Sequence, residues 1–272
     1  MKEITIGQYY PVDSFVHSLD PRTKIVATIL IIAFTFVCKT FAGLLISALF
    51  VFLVAFIGKI PFNKLLSSLK AIYFILIFTF LLNMLFIKQG NEIFSFGIIS
   101  ITTGGIIRAA YMAFRLMQLI VTAGLLTLTT SPIQLTDGLE KLFSPLKIIG
   151  FPAHEIAMMM SIALRFIPIL TEETDKIIKA QKARGSDFET GGLIKRGKAI
   201  IPILVPLFVS AFRRADELAM AMEARCYNGG VSRTRLRESR PGVYDVYAVI
   251  IFALFMSLSI AIGYTNYEFK GF

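Results

Sequence analysis

Residues 25–58 form a stretch of 34 positions that carries a single charged residue, Lys39. A helix needs roughly 20 apolar residues to cross a bilayer, with a range of about 17–25. The stretch is too long for one crossing and suits two antiparallel helices that turn near Lys39-Thr40. A water-soluble fold would have to bury it on every side. The rest of the chain offers little to do so, since 56% of its residues are hydrophobic and only 17% are charged; soluble domains average about 25% charged. The chain therefore reads as an all-α integral membrane protein.

Three further apolar runs extend the pattern. One covers 71–87, after the polar link GKIPFNKLLSSLK at 58–70. Another covers roughly 105–129 and contains Arg108 and Arg115. The last, 243–264, precedes a short tail. These give about five spans, read as lacking Asp and Glu. Arg108 and Arg115 fall seven apart on similar helix faces. Charges within a span are functional candidates; the structural alternative makes Arg108 a snorkelling end residue and Arg115 an anchor to acidic residues of the cytoplasmic helices.

Residues 130–242 differ in character and hold 17 of the 28 Lys and Arg residues. Their two apolar stretches, 156–170 and 199–212, read as short for spans. If both crossed, the link 171–198 would put seven basic residues outside, against the bias of Lys and Arg toward the cytoplasm. The expected division is thus 1–129 (N-terminal segment and four spans), 130–242 (cytoplasmic coupling-helix domain) and 243–272 (last span and outer tail). Arg22, Lys24, Lys59, Lys64 and Lys70 fall on the inner side of this scheme. The N-terminus is then cytoplasmic and the C-terminus outside.

Within 130–242 the punctuation predicts three helices. Ser131-Pro132 is an N-cap with proline at the first helical position, opening a short helix over about 132–147 that stops near Gly150. Pro152 opens a second, long helix that stops at Gly185. A third runs from about Ile194 to Arg225, before Asn228-Gly229-Gly230. Pro168, Pro202 and Pro206 are expected to kink the two long helices.

The ends of those helices repeat a phrase. Residues 175–185 read DKIIKAQKARG and 216–226 read DELAMAMEARC. Each places Ala-Arg-small at a helix C-terminus: Ala183, Arg184 and Gly185, then Ala224, Arg225 and Cys226. A cation there is favoured by the helix dipole, and the guanidinium offers a rigid fork of donors to a carboxylate. Two equivalent arginines predict two equivalent sockets on a partner; two ordinary solvated helix ends are the alternative. Met158, Met159 and Met160 are flexible side chains suited to a second partner surface or to core filling.

Several classes of chemistry are excluded. GLIKRGKA lacks the Ser or Thr of a P-loop. Two cysteines, Cys38 and Cys226, and two histidines, His17 and His154, make no metal or disulfide framework. No cofactor is expected. No basic stretch is interleaved with aromatics in a nucleic-acid module, so the net charge of +10 belongs with the membrane surface.

The opening GQYYPVDSFVHSLDPRTK, with its Ser-x-x-His-x-Leu-Asp-Pro-Arg-x-Lys phrase, resembles the start of the transmembrane T component of energy-coupling factor (ECF) transporters. The paired Ala-Arg-Gly and Ala-Arg-Cys sites are similar to that family's two arginine motifs, and the layout agrees over nearly the whole chain. Cys226 departs from the Gly or Pro expected there. The resemblance implies a non-catalytic coupling subunit of an ATP-driven importer of vitamins or related micronutrients in a prokaryotic plasma membrane. It implies two ATP-binding subunits, one at Arg184 and one at Arg225, and a membrane S component that captures substrate, here expected against Met158–Met160. A stand-alone channel or secondary transporter is the alternative; it would need acidic or substrate-coordinating residues inside the membrane and inverted repeats.

Overall fold

The computed structural model describes residues 9–38, 40–70, 72–88, 91–96, 99–186, 192–227 and 242–265. It is an all-helical membrane architecture with one small hairpin, and it divides into two compact units: Met1–Gly138 with Glu238–Phe272, and Leu139–Arg237.

The first unit begins with a short helix, α1 (Phe15–Ser18), and α2 (Pro21–Val37). Asp20 is the N-cap of α2 and accepts the Arg22 N–H at 2.9 Å, with Pro21 at the first helical position. The chain breaks after Val37 and resumes as α3 (Phe41–Ile57). The long apolar stretch is therefore two helices, turning where expected; Lys39 itself lies outside the described residues.

The polar link contains α4 (Phe62–Lys70), bent by 63° from α5 (Tyr73–Phe86). The expected outer loop holds an antiparallel hairpin, β1 (Glu92–Phe96) with β2 (Ile99–Thr102), which feeds α6 (Thr103–Thr129). The last helix is α10 (Val243–Thr265), numbered after α7, which spans the boundary of the two units, and after α8 and α9 of the second.

Ile31, Phe50, Val51, Leu125 and Leu128 bring α2, α3 and α6 into one buried cluster, with Phe252 and Phe255 of α10 against it. Around that core the surface is apolar: Phe56, Phe74 and Phe86 are each more than three-quarters exposed. An apolar exterior of this extent suits lipid, where backbone groups must be satisfied internally. Three buried hydroxyls of α2 and α6 obey the same rule. Thr35, Thr122 and Thr129 each donate at 2.8 Å to the carbonyl four residues earlier, and Gln118 donates to Ser47 Oγ at 2.6 Å.

By length and composition α6 can cross a membrane alone, and α4 with α5 can do so as a bent pair. Phe41–Ile57 and Val243–Ser259 are shorter apolar helices. Two expectations need correction. Among the described residues the contacts of Arg115 are with Phe36 rather than with an acidic group: its Nη2 donates to the Phe36 carbonyl at 2.9 Å, and its guanidinium lies 4.6 Å from the Phe36 ring centroid. It caps a carbonyl at the C-terminal end of α2. The spans are also not free of acid. Asp245 is buried in the first turn of α10, inside the expected fifth span, and accepts the Asp20 N–H at 2.8 Å.

Residue Ser131 opens α7 (Pro132–Phe143) with a reciprocal capping box: Gln134 N–H donates to Ser131 Oγ and Ser131 N–H to Gln134 Oε1. The expected 132–147 helix changes at Pro145 into a 3₁₀ turn, Ser144–Ile149, which stops at Gly150 with φ 84°.

The second unit is dominated by α8 (Ala153–Ala183) and α9 (Leu193–Ala224), with Pro168 inside the first and Pro202 and Pro206 inside the second. Although 156–170 alone read as short for a span, the continuous helix α8 contains a stretch long and apolar enough to cross. Asn228-Gly229-Gly230 lies outside the described residues.

Candidate functional site

Both long helices end in the same way. Helix α8 stops with Arg184 as its C-cap (φ −83°) and Gly185 at φ 88°. Gly185 N–H donates to the Lys182 carbonyl and Ser186 N–H to the Gln181 carbonyl, both at 3.0 Å. Helix α9 stops with Arg225 as its C-cap (φ −94°) and Cys226 at φ 55°. Cys226 N–H donates to the Glu223 carbonyl at 2.8 Å, and Tyr227 N–H to the Met222 carbonyl at 3.0 Å. Each is a Schellman stop, in which a left-handed residue turns two amides back onto the last carbonyls.

The geometry explains the Ala-Arg-small pattern. The arginine must be the last residue near helical geometry, and the next must take positive φ. Glycine does so without steric penalty, whereas a proline, fixed near −65°, cannot. The Pro alternative expected at position 226 is therefore incompatible with this turn. Ala183, Arg184 and Gly185, and likewise Ala224, Arg225 and Cys226, are all solvent-exposed. Among the described residues neither arginine meets a carboxylate within salt-bridge distance.

The two copies are joined by a polar contact. Arg214 Nη2 donates to Glu173 Oε2 at 3.0 Å, and Ser210 Oγ donates to Glu173 Oε1 at 2.6 Å. Glu173 and Arg214 are 41 residues apart, the same spacing as Arg184 and Arg225, so they occupy equivalent places in the repeat. Each arginine tip follows its member of the pair by 11 residues, roughly 16 Å of helix. Further along, Gln181 Nε2 donates to the Pro202 carbonyl at 3.4 Å. Pro206 has no N–H to give that carbonyl, so α8 supplies the donor. Moving forward on α8, from Glu173 to Gln181, moves backward on α9, from Arg214 to Pro202. The helices are antiparallel through this contact, and their arginine tips lie on opposite sides of it.

The methionines of α8 occupy its first turns: Met159 is 58% and Met160 41% exposed, while Met158 is half-buried. On α9 a larger apolar face is uncovered, with Leu204, Val205, Phe208, Val209 and Phe212 all exposed. An accessible apolar stretch thus precedes the charged C-terminal part of each long helix; in α9 it follows a basic opening with Lys195, Arg196 and Lys198. Among the described residues no group of three His, Cys, Asp or Glu side chains could hold a metal.

The opening phrase forms a constellation that its sequence alone did not explain. Ser14 caps α1 and its hydroxyl lies 2.7 Å from His17 Nδ1; His17 Nε2 stands 3.1 Å from the Tyr10 carbonyl. This assigns the proton to Nε2, leaving Nδ1 to accept. Burial and the nearby Lys24 charge push the His17 imidazole below its ordinary value. Lys24 Nζ donates to the His17 carbonyl at 3.0 Å and to the Thr129 carbonyl at 3.1 Å, and Asp20 is held by Asp245. Ser14, His17, Asp20 and Lys24 therefore tie α1 and α2 to the end of α6 and the start of α10. The spacing of polar residues immediately before an apolar run was the available signal.

Comparison with known proteins adds a family. Residues 13–236 match the CbiQ family, described as cobalt transport protein. An energy-coupling factor transporter transmembrane protein EcfT of Ruminiclostridium cellulolyticum is 52% identical over 264 residues, covering 97% of this chain and 98% of that protein. The proteins of the same name from Thermosediminibacter oceani and Clostridium kluyveri are 50% and 49% identical, over 92% and 96% of this chain and 94% and 97% of their own lengths.

Proposed function

This chain belongs to the family of energy-coupling factor transporter transmembrane proteins, and on that premise we propose that it couples two ATP-binding subunits to a substrate-capturing membrane protein. It is a membrane subunit of such a transporter in a bacterial membrane. In the proposal it performs no hydrolysis itself; the ATPases supply it in trans. The cargo, a vitamin or related micronutrient, is chosen by the capture protein.

The observation that carries the reading is the pair of arginine tips. They share one helix-stop geometry and stand equally far from a contact between equivalent repeat positions, on opposite sides of it. Such a device fits two like sockets, so Ala183-Arg184-Gly185 takes one ATPase and Ala224-Arg225-Cys226 the other. The exposed apolar stretches of α8 and α9, with Met158, Met159 and Met160, receive the capture protein. Residues 130–242 then form a cytoplasmic coupling domain between spans contributed by 1–129 and 243–272, with the N-terminus inside and the C-terminus outside. Because α8 and α9 are bonded through Glu173, a movement of either tip is transmitted along a stiff helix to its apolar stretch.

The test is co-purification of the full transporter after changing Arg184 and Arg225 together to Glu. Each change removes one cation and presents a like charge to the acceptor. Loss of both ATPases from the membrane fraction, with the chain still inserted, is the expected outcome. Intact complexes would overturn the proposal.

A further inference from the structure

The opening phrase borders a groove that the coupling function leaves unused. It is a cavity of about 380 Å³ within the first unit, walled by α2 and α10 and floored by α3 and α6. That volume is within the range of small-ligand sites. The floor is buried: Ile31, Phe50, Val51 and Leu125 are each less than a tenth exposed. Along the rim Val26, Leu30 and Val249 are exposed, so the groove opens outward onto the apolar exterior. Two alanines, Ala27 on α2 and Ala248 on α10, line it and leave room where larger side chains would fill the space.

One end of the groove is polar, where α2 and α10 begin and α6 ends. Arg22, Lys24 and Thr129 line it. Lys24 is buried and spent on two carbonyls. Arg22 is different. Its side chain is 38% exposed, and its Nε is buried without a hydrogen-bond acceptor. Asp20 Oδ1 forms an ion pair with that Nε at 3.9 Å, too long for a hydrogen bond, and accepts the Arg22 backbone N–H at 2.9 Å. The arrangement orients a guanidinium at the mouth of an apolar slot and leaves donors to spare.

We propose that this groove binds one anionic phospholipid, with an acyl chain between α2 and α10 and the phosphate on Arg22. The charge complementarity argues for the occupant: an apolar chain alone needs no cation, and a buried arginine Nε without an acceptor lacks what a phosphate oxygen provides. Basic residues beside a span attract anionic headgroups in general; here the site adds a cleft for the chain.

The experiment supplies the purified full chain with phosphatidylglycerol and phosphatidylcholine of identical acyl composition, and counts retained lipids by native mass spectrometry. The expected result is one retained phosphatidylglycerol in preference to phosphatidylcholine. Arg22→Gln lowers that retention about tenfold, the effect of losing a charge-assisted contact. Ala248→Phe, which fills the groove, abolishes it. Ala27→Leu fills it from the opposite wall and decides the matter if the first filling variant does not fold. Equal retention of the two lipids, unchanged retention in Arg22→Gln, or unchanged retention in a folded filling variant would overturn the proposal. So would absence of the lipid from the assembled transporter, which would mean that a protein segment covers the groove.

Discussion

Cys226 holds a left-handed conformation at φ 55°, while its counterpart Gly185 holds φ 88°. A side chain in that region costs about 1 kcal/mol relative to glycine. The two positions therefore respond oppositely to substitution. Cys226→Gly should stabilise the α9 stop by about 1 kcal/mol, and Gly185→Ala should destabilise the α8 stop by a similar amount. Hydrogen exchange at the Tyr227 and Ser186 amides, which close the two turns, reads both effects locally. The sequence showed the reason at Gly185, a glycine helix stop, but not at Cys226, where only a small residue was legible. His17 makes a second prediction at this scale. Its imidazole titrates below its ordinary value of 6.5, because burial and then the Lys24 charge disfavour the proton. As pH falls past 6.5 the unfolded chain binds that proton before the folded one does, so stability falls with it. The contribution is complete above 6.5 and is lost on descent toward the folded value. The wild-type Tm should drop more between pH 7.5 and pH 5.5 than that of His17→Gln; equal drops would contradict the assignment.

Helices α8 and α9 are locked where the repeat meets itself, through Glu173, Ser210 and Arg214. Glu173→Arg alone places two cations together, and Arg214→Glu alone two carboxylates. The double exchange restores the pair in reverse. Solvent screens a partly exposed pair, so each single change should lower the Tm modestly, and the double variant should recover most of the loss. A double-mutant cycle on thermal unfolding measures the coupling; additive losses would mean that the contact does not hold the crossing. Much of this element layout was legible beforehand. Gly150 and Gly185 marked their helix stops, and the stretch 25–58 divided between Val37 and Phe41 as its pattern required. The β1–β2 hairpin was missed, although Ile93-Phe94-Ser95-Phe96 and Ile99-Ser100-Ile101-Thr102 are strand-like runs flanking Gly97; next to long apolar helices so short a signal carried little weight. Glu173 with Arg214 was missed for another reason. Carboxylates on a charged helix such as Glu172 and Glu173 read as solvated or as partners for some nearby Lys or Arg, and only the antiparallel path of α8 and α9 shows which partner this one takes.

Two physical arguments about the whole molecule point in opposite directions. Helix α8 contains a stretch apolar enough to cross a bilayer, yet the link that follows it is rich in Lys and Arg. Transfer of apolar side chains favours insertion, whereas placing seven basic residues outside opposes it. The contact with α9 favours the second argument. Glu173 and Arg214 are charged groups on facing helices, and burying such a pair in hydrocarbon requires more compensation than their mutual hydrogen bond and one from the Ser210 hydroxyl supply. Residues near Arg184 should then face the cytoplasm. Cys38 is buried and Cys226 exposed, so Ser186→Cys in a Cys226→Ser background offers one accessible thiol among the described residues. In intact cells a membrane-impermeant maleimide should leave it unlabelled and should label it after the membrane is opened. Glu92→Cys in the same background, on the hairpin expected outside, should label in intact cells. Labelling of Ser186→Cys from outside would mean that α8 crosses, and the arginine tip at Arg184 would then lie beyond reach of any cytoplasmic ATPase.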